Sequence, residues 1–339
     1  MTKPLLSICI ATYNRADYIG ETLESIIPQV TDDVEIVIVD GASTDNTSDV
    51  VKHYADSCNQ INYIRLASKG GVDQDFCKAV ENAKGEYCWL FPDDDLLKPD
   101  AIGTVLKEIR KGYSLIIVNA HVMNKDFSKV LDNKRMQIDT NEIYDESRME
   151  QLFNRIVPHI SFIGCVVINR YLWMQREKER YFGTEFIHVG VIFQAPLPAP
   201  SLVIAEPHVT IRFGNAQWTP RSFEIWMYKW PNLLGSFVNI SEQTRREYIR
   251  IQSWKKLKNI ITCRAMGIYS LKEYLKCFAS EASSLWWKSV VLLIAIMPAC
   301  FVNLFLLSYF KIVKKEPLMI AALENNENNI MNILRRKGR

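Results

Sequence analysis

Short β-branched apolar runs recur along the first third of the chain, each ending in a polar loop that opens a stretch of helical periodicity. This alternation is what most limits the fold. Leu5 to Ala11 ends in Thr12-Tyr13-Asn14-Arg15, after which Tyr18, Ile19, Leu23, Ile26 and Ile27 fall at helical spacing. Val34 to Val39 ends in Asp40-Gly41-Ala42-Ser43-Thr44-Asp45, a loop that supplies an N-cap for a helix over Asp45 to Ala55. Ile61 to Leu66 leads to Lys69-Gly70-Gly71 and a helix through Ala83. Tyr87 to Phe91 leads to Pro92-Asp93-Asp94-Asp95 and a helix with Pro99 at its first position, and Ser114 to Asn119 is a fifth strand. Elements alternating in this way predict βαβ units with right-handed crossovers. The expected fold is therefore α/β, a single Rossmann-like, mainly parallel sheet flanked by helices.

In such sheets ligands bind outside the carboxyl ends of the strands, so Asn14, Asp40, Gly71 and Asp93 to Asp95 are expected at one crevice. The glycine pair lets backbone approach a ligand closely, and Asp40 is placed to accept from a ribose hydroxyl or a base N–H. Three consecutive carboxylates at a strand end repel one another unless a cation sits on them. Hard oxygen ligands on a short loop suit Mg²⁺ or Mn²⁺. The plainer reading is a solvated acidic turn in which Asp95 or Asp100 caps the next helix. No GxGxxG follows the first strand and no GxxxxGK[ST] occurs, which argues against a Rossmann dehydrogenase and a P-loop NTPase.

The chain has 339 residues and a formal net charge of +3, so it lacks the general basic excess of a nucleic-acid binder. Its 8 cysteines are scattered singly, several inside apolar runs, and read as free thiols of a reducing compartment. Met1 to Lys3 leads straight into a strand with no signal-peptide pattern, so the catalytic part is expected in the cytoplasm.

Three stretches in order carry a resemblance: Ile8-Cys9-Ile10-Ala11-Thr12-Tyr13-Asn14-Arg15; Val37-Ile38-Val39-Asp40-Gly41-Ala42-Ser43-Thr44-Asp45; and Gly85-Glu86-Tyr87 running into Asp93-Asp94-Asp95. Over about residues 5 to 120 the chain resembles the inverting family-two glycosyltransferases of GT-A fold. Within them it is most similar to bacterial O-antigen sugar transferases of the abequosyltransferase type. The resemblance implies a nucleotide-sugar donor, with Ala11, Tyr13, Arg15 and Asp40 around base and ribose and a DxD motif holding a divalent ion on the diphosphate. The family's usual Asp-x-Asp-Asp would put its first Asp at Pro92. In the family's register Asp94 is then the expected metal ligand, with Asp93 toward the ribose and Asp95 as ligand or behind it, while the residues read plainly offer Asp93-x-Asp95. The Pro92 departure also leaves open a transfer without metal.

Beyond the fifth strand, Asn124 to Asn141 looks like a polar excursion, Met149 to Val157 a short helix and Ser161 to Asn169 a strand. An inverting transfer needs a carboxylate to take the proton of the attacking acceptor hydroxyl. In the family that base sits in a Gly-x-Asp type motif opening a helix, and Gly183-Thr184-Glu185 matches it with Glu for Asp. Glu185 also fits a first-turn acid favoured by the helix dipole. His188, three residues on, is placed to orient Glu185 or bind acceptor, or simply to pack. Leu202 to Ala205 and Val209 to Phe213 read as two short strands around Glu206-Pro207-His208. In the loop that follows, Arg212 is a candidate to neutralise the leaving nucleoside diphosphate and Trp218 to stack on a sugar, or both are structural.

From Ile249 the composition changes. Ile251, Trp254, Leu257 and Ile261 fall on one helical face against Arg250, Lys255, Lys256 and Lys258, the pattern of an interfacial helix on anionic lipid. Trp286-Trp287-Lys288 precedes an apolar run from Val290 to Leu307, interrupted by Pro298 and Asn303 and followed by Lys311, Lys314 and Lys315. Basic flanks on both sides favour a kinked hairpin or paired interfacial helices over a simple span. The expected organisation is a GT-A domain over 1–220 (nucleotide-binding 1–120, acceptor-binding 121–220) and a helical membrane-associating region over 221–339. The expected activity is transfer of a sugar, with inversion, from a nucleotide-diphosphate sugar to a polyprenyl-diphosphate-linked saccharide at the cytoplasmic face of the bacterial inner membrane. Two rival readings are a transferase that uses a polyprenyl phosphate itself as nucleophile, and a non-catalytic nucleotide-sugar-binding protein of the same fold.

Overall fold

The computed structural model describes residues 3–215, 217, 221–251, 254–278 and 284–332, the side chains of 250 and 251 excepted. Its strands, in chain order, are β1 (Leu6–Thr12), β2 (Val34–Asp40), β3 (Ile61–Arg65), β4 (Tyr87–Phe91), β5 (Leu96–Leu97), β6 (Leu115–Asn124), β7 (Val130–Asp132), β8 (Glu142–Tyr144), β9 (Val166–Asn169) and β10 (Ser201–Phe213). The helices that position the site are α1 (Ala16–Ile26), α2 (Thr47–Ala55), α3 (Val72–Asn82), α4 (Ala101–Ile109), α5 (Met149–Ile156), α6 (Arg170–Gln175) and α7 (Ile187–Phe193).

The sheet runs β3-β2-β1-β4-β9-β6-β10-β5. β1 is parallel to β2 and β4, and β2 to β3, as the βαβ pattern predicts. The expectation of a mainly parallel sheet is corrected from there on, because β9 is antiparallel to both β4 and β6, and β10 is antiparallel to β5 and β8. The sheet is mixed. Val166 to Ile168 are buried apolar residues in a row, which suits a strand inserted inside a sheet rather than at its edge. The two strands expected around Pro207 are one, β10: it pairs with β8 through Ser201 to Val203 and with β5 through Val209 and Thr210. Pro207, which has no N–H to give, falls between these two pairings.

Alternation along the strands sets the core. Leu6, Ile8 and Ile10 of β1 and Val34, Ile36 and Ile38 of β2 pack with Ile19, Leu23 and Ile26 of α1 and with Ile102, Val105 and Ile109 of α4. The intervening Ser7, Cys9, Val37 and Val39 are buried as well, and α3 packs against β1 and β2, so the sheet is covered on both faces.

The chain forms two compact units. The first comprises Met1–Met123, Asn133–Arg212 and Phe237–Thr244. That last segment is held by fully buried Phe237, whose ring lies 5.7 Å from Phe193 and 6.4 Å from Phe153, and by Glu150, which accepts the N–H of Ser241.

The second unit comprises Asn124–Asp132, Phe213–Ser236 and Arg245–Arg339, and is helical around a core of the aromatic Phe223, Trp254, Tyr269 and Phe278 with Val291. The single amphipathic helix expected from Ile249 is instead two, Glu242–Ile251 and Leu257–Ala265. Trp254, between them, is buried with its ring 4.9 Å from Phe278, because an indole gains more from an aromatic core than from a surface. The apolar run also divides, into Leu285–Ile296 and Ala299–Lys314, bent by 94° where Pro298 prevents continuation. No single helix among the described residues is long and apolar enough to cross a membrane, though this bent pair together meets the length and composition of a span. Asn303, the polar break in the run, is fully buried and donates to the carbonyls of Ala265 at 3.2 Å and Leu323 at 3.1 Å. Trp286, Leu293, Ile296, Phe301, Phe305, Ile312 and Val313 are exposed.

Candidate active site

All the polar strand-end loops singled out in the sequence belong to the first unit, and hydrogen bonds lace the first two together. The backbone N–H of Asn14 donates to Ser43 Oγ at 2.9 Å, that of Thr44 to Asn14 Oδ1 at 2.7 Å, that of Arg15 to Thr47 Oγ1 at 2.8 Å, and that of Gly41 to the Thr12 carbonyl at 2.9 Å. Asn14 and Ala42 adopt φ of 53° and 64°, the left-handed conformation that an L side chain disfavours and that this network holds. Asp40 is fully buried and accepts from the Ser43 N–H and the Tyr63 hydroxyl, both at 2.7 Å. One of its oxygens thus shapes the loop and the other fixes Tyr63. Tyr13 lies under the Lys69 ammonium, 3.5 Å from the ring centroid, which joins the first loop to the glycine-bearing third. Gly71 precedes α3 at φ 103° with open space where a Cβ would stand, so backbone conformation rather than crowding calls for glycine there.

The carboxylate turn is not a solvated one. Asp93, Asp94 and Asp95 are each less than a tenth exposed. Arg15 spans the first two, with Nε 3.3 Å from Asp93 and an Nη 3.1 Å from Asp94. Arg212, from the end of β10, gives its backbone N–H to Asp95 Oδ1 at 2.7 Å, its Nε–H to the Asp94 carbonyl at 2.9 Å, and its guanidinium to Glu21. Both guanidiniums also lie over the Tyr18 ring, 5.4 and 5.2 Å from its centroid. Burial, then repulsion from Asp94, raises Asp93 above the ordinary carboxylate range, and the same two causes push Asp95 well above it. Three carboxylates on one turn outnumber the two guanidiniums beside them, and hard oxygens so grouped fit a divalent cation held by one or two carboxylates and completed by phosphate oxygens. Among the described residues no set of three or more His, Cys, Asp or Glu is arranged to hold a metal ion by itself.

Residues 7–173 match the family described as glycosyl transferase family 2. This part of the chain is a family-two glycosyltransferase domain. The abequosyltransferase RfbV of Salmonella typhimurium is 27% identical over 282 residues, which cover 79% of this chain and 80% of that one. The GalNAc(5)-diNAcBac-PP-undecaprenol beta-1,3-glucosyltransferase of Campylobacter jejuni is 27% identical over 40% of this chain and 45% of its own length. Among solved structures, that of S. aureus TarS 1-349 in complex with UDP superposes with a TM-score of 0.55 at 16% identity, covering 99% of this chain and 92% of the other. The protein is a glycosyltransferase, and its fold is the GT-A-like α/β fold with a mixed sheet.

In the glycosyltransferase Glu185 does not lie in the first turn of a helix; it is a partly exposed residue two positions before α7, with φ 71°. Its segment is tightly built: Gly183 turns at φ 81°, the Thr184 hydroxyl donates to the Tyr181 carbonyl at 2.7 Å, and the Tyr181 ring lies so close to Gly190 that no Cβ would fit there. His188 is packed rather than poised on acceptor. It is 1% exposed, its Nε2 is 2.6 Å from the Ile160 carbonyl, and burial holds its imidazole down to about 4, hence neutral at physiological pH.

Two acids that sequence reading passed over belong beside the transferase's loops. Asp73, in the first turn of α3, is 4% exposed and accepts the N–H groups of Glu185 at 2.9 Å and Ile187 at 3.0 Å. Asp75 is 3% exposed, has one oxygen without a hydrogen-bond partner, and sits so close to Gly41 that a Cβ there would lie 2.7 Å from Oδ2. Burial raises each to about 6. The only signal was an Asp-x-Asp opening a helix directly after a glycine pair, which reads as ordinary helix-dipole acids. Trp218 lies outside the described residues.

Proposed function

We propose that this glycosyltransferase is a membrane-associated inverting enzyme that moves a sugar from a nucleotide-diphosphate sugar to a polyprenyl-diphosphate-linked saccharide, in O-antigen or another surface polysaccharide. The observation that carries the reading is the buried run Asp93-Asp94-Asp95 at the end of β4, bridged by Arg15 and tied to β10 by Arg212. Carboxylates and guanidiniums together on one buried turn suit a ligand that brings a divalent cation and phosphate oxygens. The nucleotide is assigned to the strand-end loops through Ala11, Tyr13, Arg15, Asp40, Gly71 and Asp93, the divalent ion to Asp94 with Asp95 behind it, and the leaving diphosphate to Arg212 as well. Bound Mg²⁺ or Mn²⁺ supplies Lewis-acid stabilisation of that leaving group. Glu185 takes the proton from the acceptor hydroxyl, whose oxygen attacks the anomeric carbon from the face opposite the diphosphate. As the new bond forms, the C–O bond to the diphosphate breaks and the nucleoside diphosphate departs with the electron pair.

Support for sugar transfer comes from the likeness to the abequosyltransferase RfbV along most of both chains, and support for the acceptor class from the Campylobacter relative, whose name carries an undecaprenol-linked diphosphate. Support for the membrane comes from the second unit. Its bent helix pair exposes Trp286, Phe301 and Phe305, and Lys288, Lys311, Lys314 and Lys315 lie along the same stretch of sequence, a composition suited to the cytoplasmic leaflet of an anionic bilayer. The assigned parts are donor binding in 1–120, acceptor binding in 121–220 and membrane association in 221–339.

Transfer of label from a panel of nucleotide sugars into organic-extractable lipid of bacterial membranes tests the reading, with Asp94→Asn and added chelator as controls. Label entering lipid from one donor, and lost in both controls, supports it; label that persists in Glu185→Gln favours a lipid phosphate as nucleophile instead. No label in lipid from any donor overturns it.

A further inference from the structure

We infer that Asp73 is a positioning residue that fixes Glu185 by its backbone and ties it to the donor-binding loop; this rests on the assignment of Glu185 as the base. Three facts converge on it. Glu185 holds φ 71°, a conformation a glutamate avoids unless its surroundings impose it. The bonds that impose it come from 112 residues away, the Asp73 carboxylate accepting the N–H of Glu185 at 2.9 Å and that of Ile187 at 3.0 Å. The carboxylate is itself buried, 4% exposed in the first turn of α3, two residues after Gly71 and four after Lys69, whose ammonium lies on Tyr13. A carboxylate that only capped α7 could have come from the preceding loop. This one comes from the segment that follows the donor loop, so any shift of Lys69-Gly70-Gly71 on binding nucleotide is transmitted to the backbone of Glu185. The spacing of the two N–H groups matters too: both carboxylate oxygens are used, one on the peptide before Glu185 and one on the peptide before Ile187, so the backbone of Glu185 is held on both sides.

The test compares Asp73→Asn, which keeps the shape but offers one acceptor in place of two, and Asp73→Ala, each alone and combined with Glu185→Gln. Turnover is followed with the labelled nucleotide sugar that enters lipid in washed membranes, and donor affinity by calorimetry with the matching nucleoside diphosphate. A positioning role lowers kcat roughly 10- to 100-fold in Asp73→Asn, leaves nucleotide affinity and melting temperature close to wild type, and adds less than about twofold to the loss in Glu185→Gln. Three results overturn it: wild-type kcat in Asp73→Asn; losses that multiply in the double variant, which mark a role independent of Glu185; or a loss of activity that follows the melting temperature, which marks a cap of α7 alone. Should Asp73→Ala fail to fold, Asp73→Asn decides. Near-normal turnover of Glu185→Gln removes the base assignment and this inference with it, whereas a slow Glu185→Gln beside a normal Asp73→Asn removes this inference only.

Discussion

Arg15 reaches two carboxylates with two different nitrogens, a task a single ammonium cannot perform. Arg15→Lys is therefore expected to weaken nucleoside diphosphate binding about tenfold, or about 1.4 kcal/mol, by calorimetry; a change below twofold would mean that Arg15 supplies charge without geometry. Asp75 gives a pH test. Its raised value, about 6 against 3.8, means the fold disfavours the ionised form. The penalty is absent below about 4, grows as pH rises through that window and is complete above 6. Asp75→Asn should then melt higher than wild type at pH 7.5, by something on the order of 1 kcal/mol or a few degrees, and equal to it at pH 4. A lower melting point at pH 7.5 would show that Lys69 holds the charge. At this scale the sequence showed position where a residue ends a strand or lies in the turn just after one, as with Asp40 and Asp94. It was silent where a partner lies far along the chain: Arg212 with Asp95, 117 residues apart, and Asp73 with Glu185.

Among the elements, the parallel half of the sheet followed from periodicity because each crossover helix lies between the strands it joins. β9 could not be placed that way, since the chain reaches it through a polar excursion and a short helix that carry no register. The apolar run of the second unit shows the same limit. Pro298 predicted the bend, but Asn303 read as a blemish and is instead a buried clasp. Asn303→Leu leaves two carbonyls without donors and should lower stability by about 1–3 kcal/mol in denaturant unfolding; a stabilised variant would mean that this helix lives in lipid rather than against Ala265 and Leu323. Phe301→Asp combined with Phe305→Asp removes exposed apolar surface without touching that clasp. Flotation with anionic phosphatidylglycerol vesicles should fall severalfold in the double variant while the melting temperature stays unchanged.

For the whole molecule, the division into compact units is not a single cut along the chain, because the first unit takes back Phe237–Thr244 after the chain has entered the second. Composition registers where basic residues and tryptophans gather; it does not register a phenylalanine returning to close an aromatic cluster. Phe237→Ala should cost about 3–5 kcal/mol, comparable to Phe153→Ala, in the unfolding of the first unit. Equal stability of Phe237→Ala and wild type would show that the segment merely rests there. The returning segment also bears on how such a protein is made and how it can change. A ribosome must have released Thr244 before the catalytic half can finish folding, by which point part of the second unit has been synthesised. Nor can a single crossover at the start of Phe213–Ser236 exchange that part of the second unit together with Arg245–Arg339 without also replacing Phe237–Thr244, the last eight residues of the first unit.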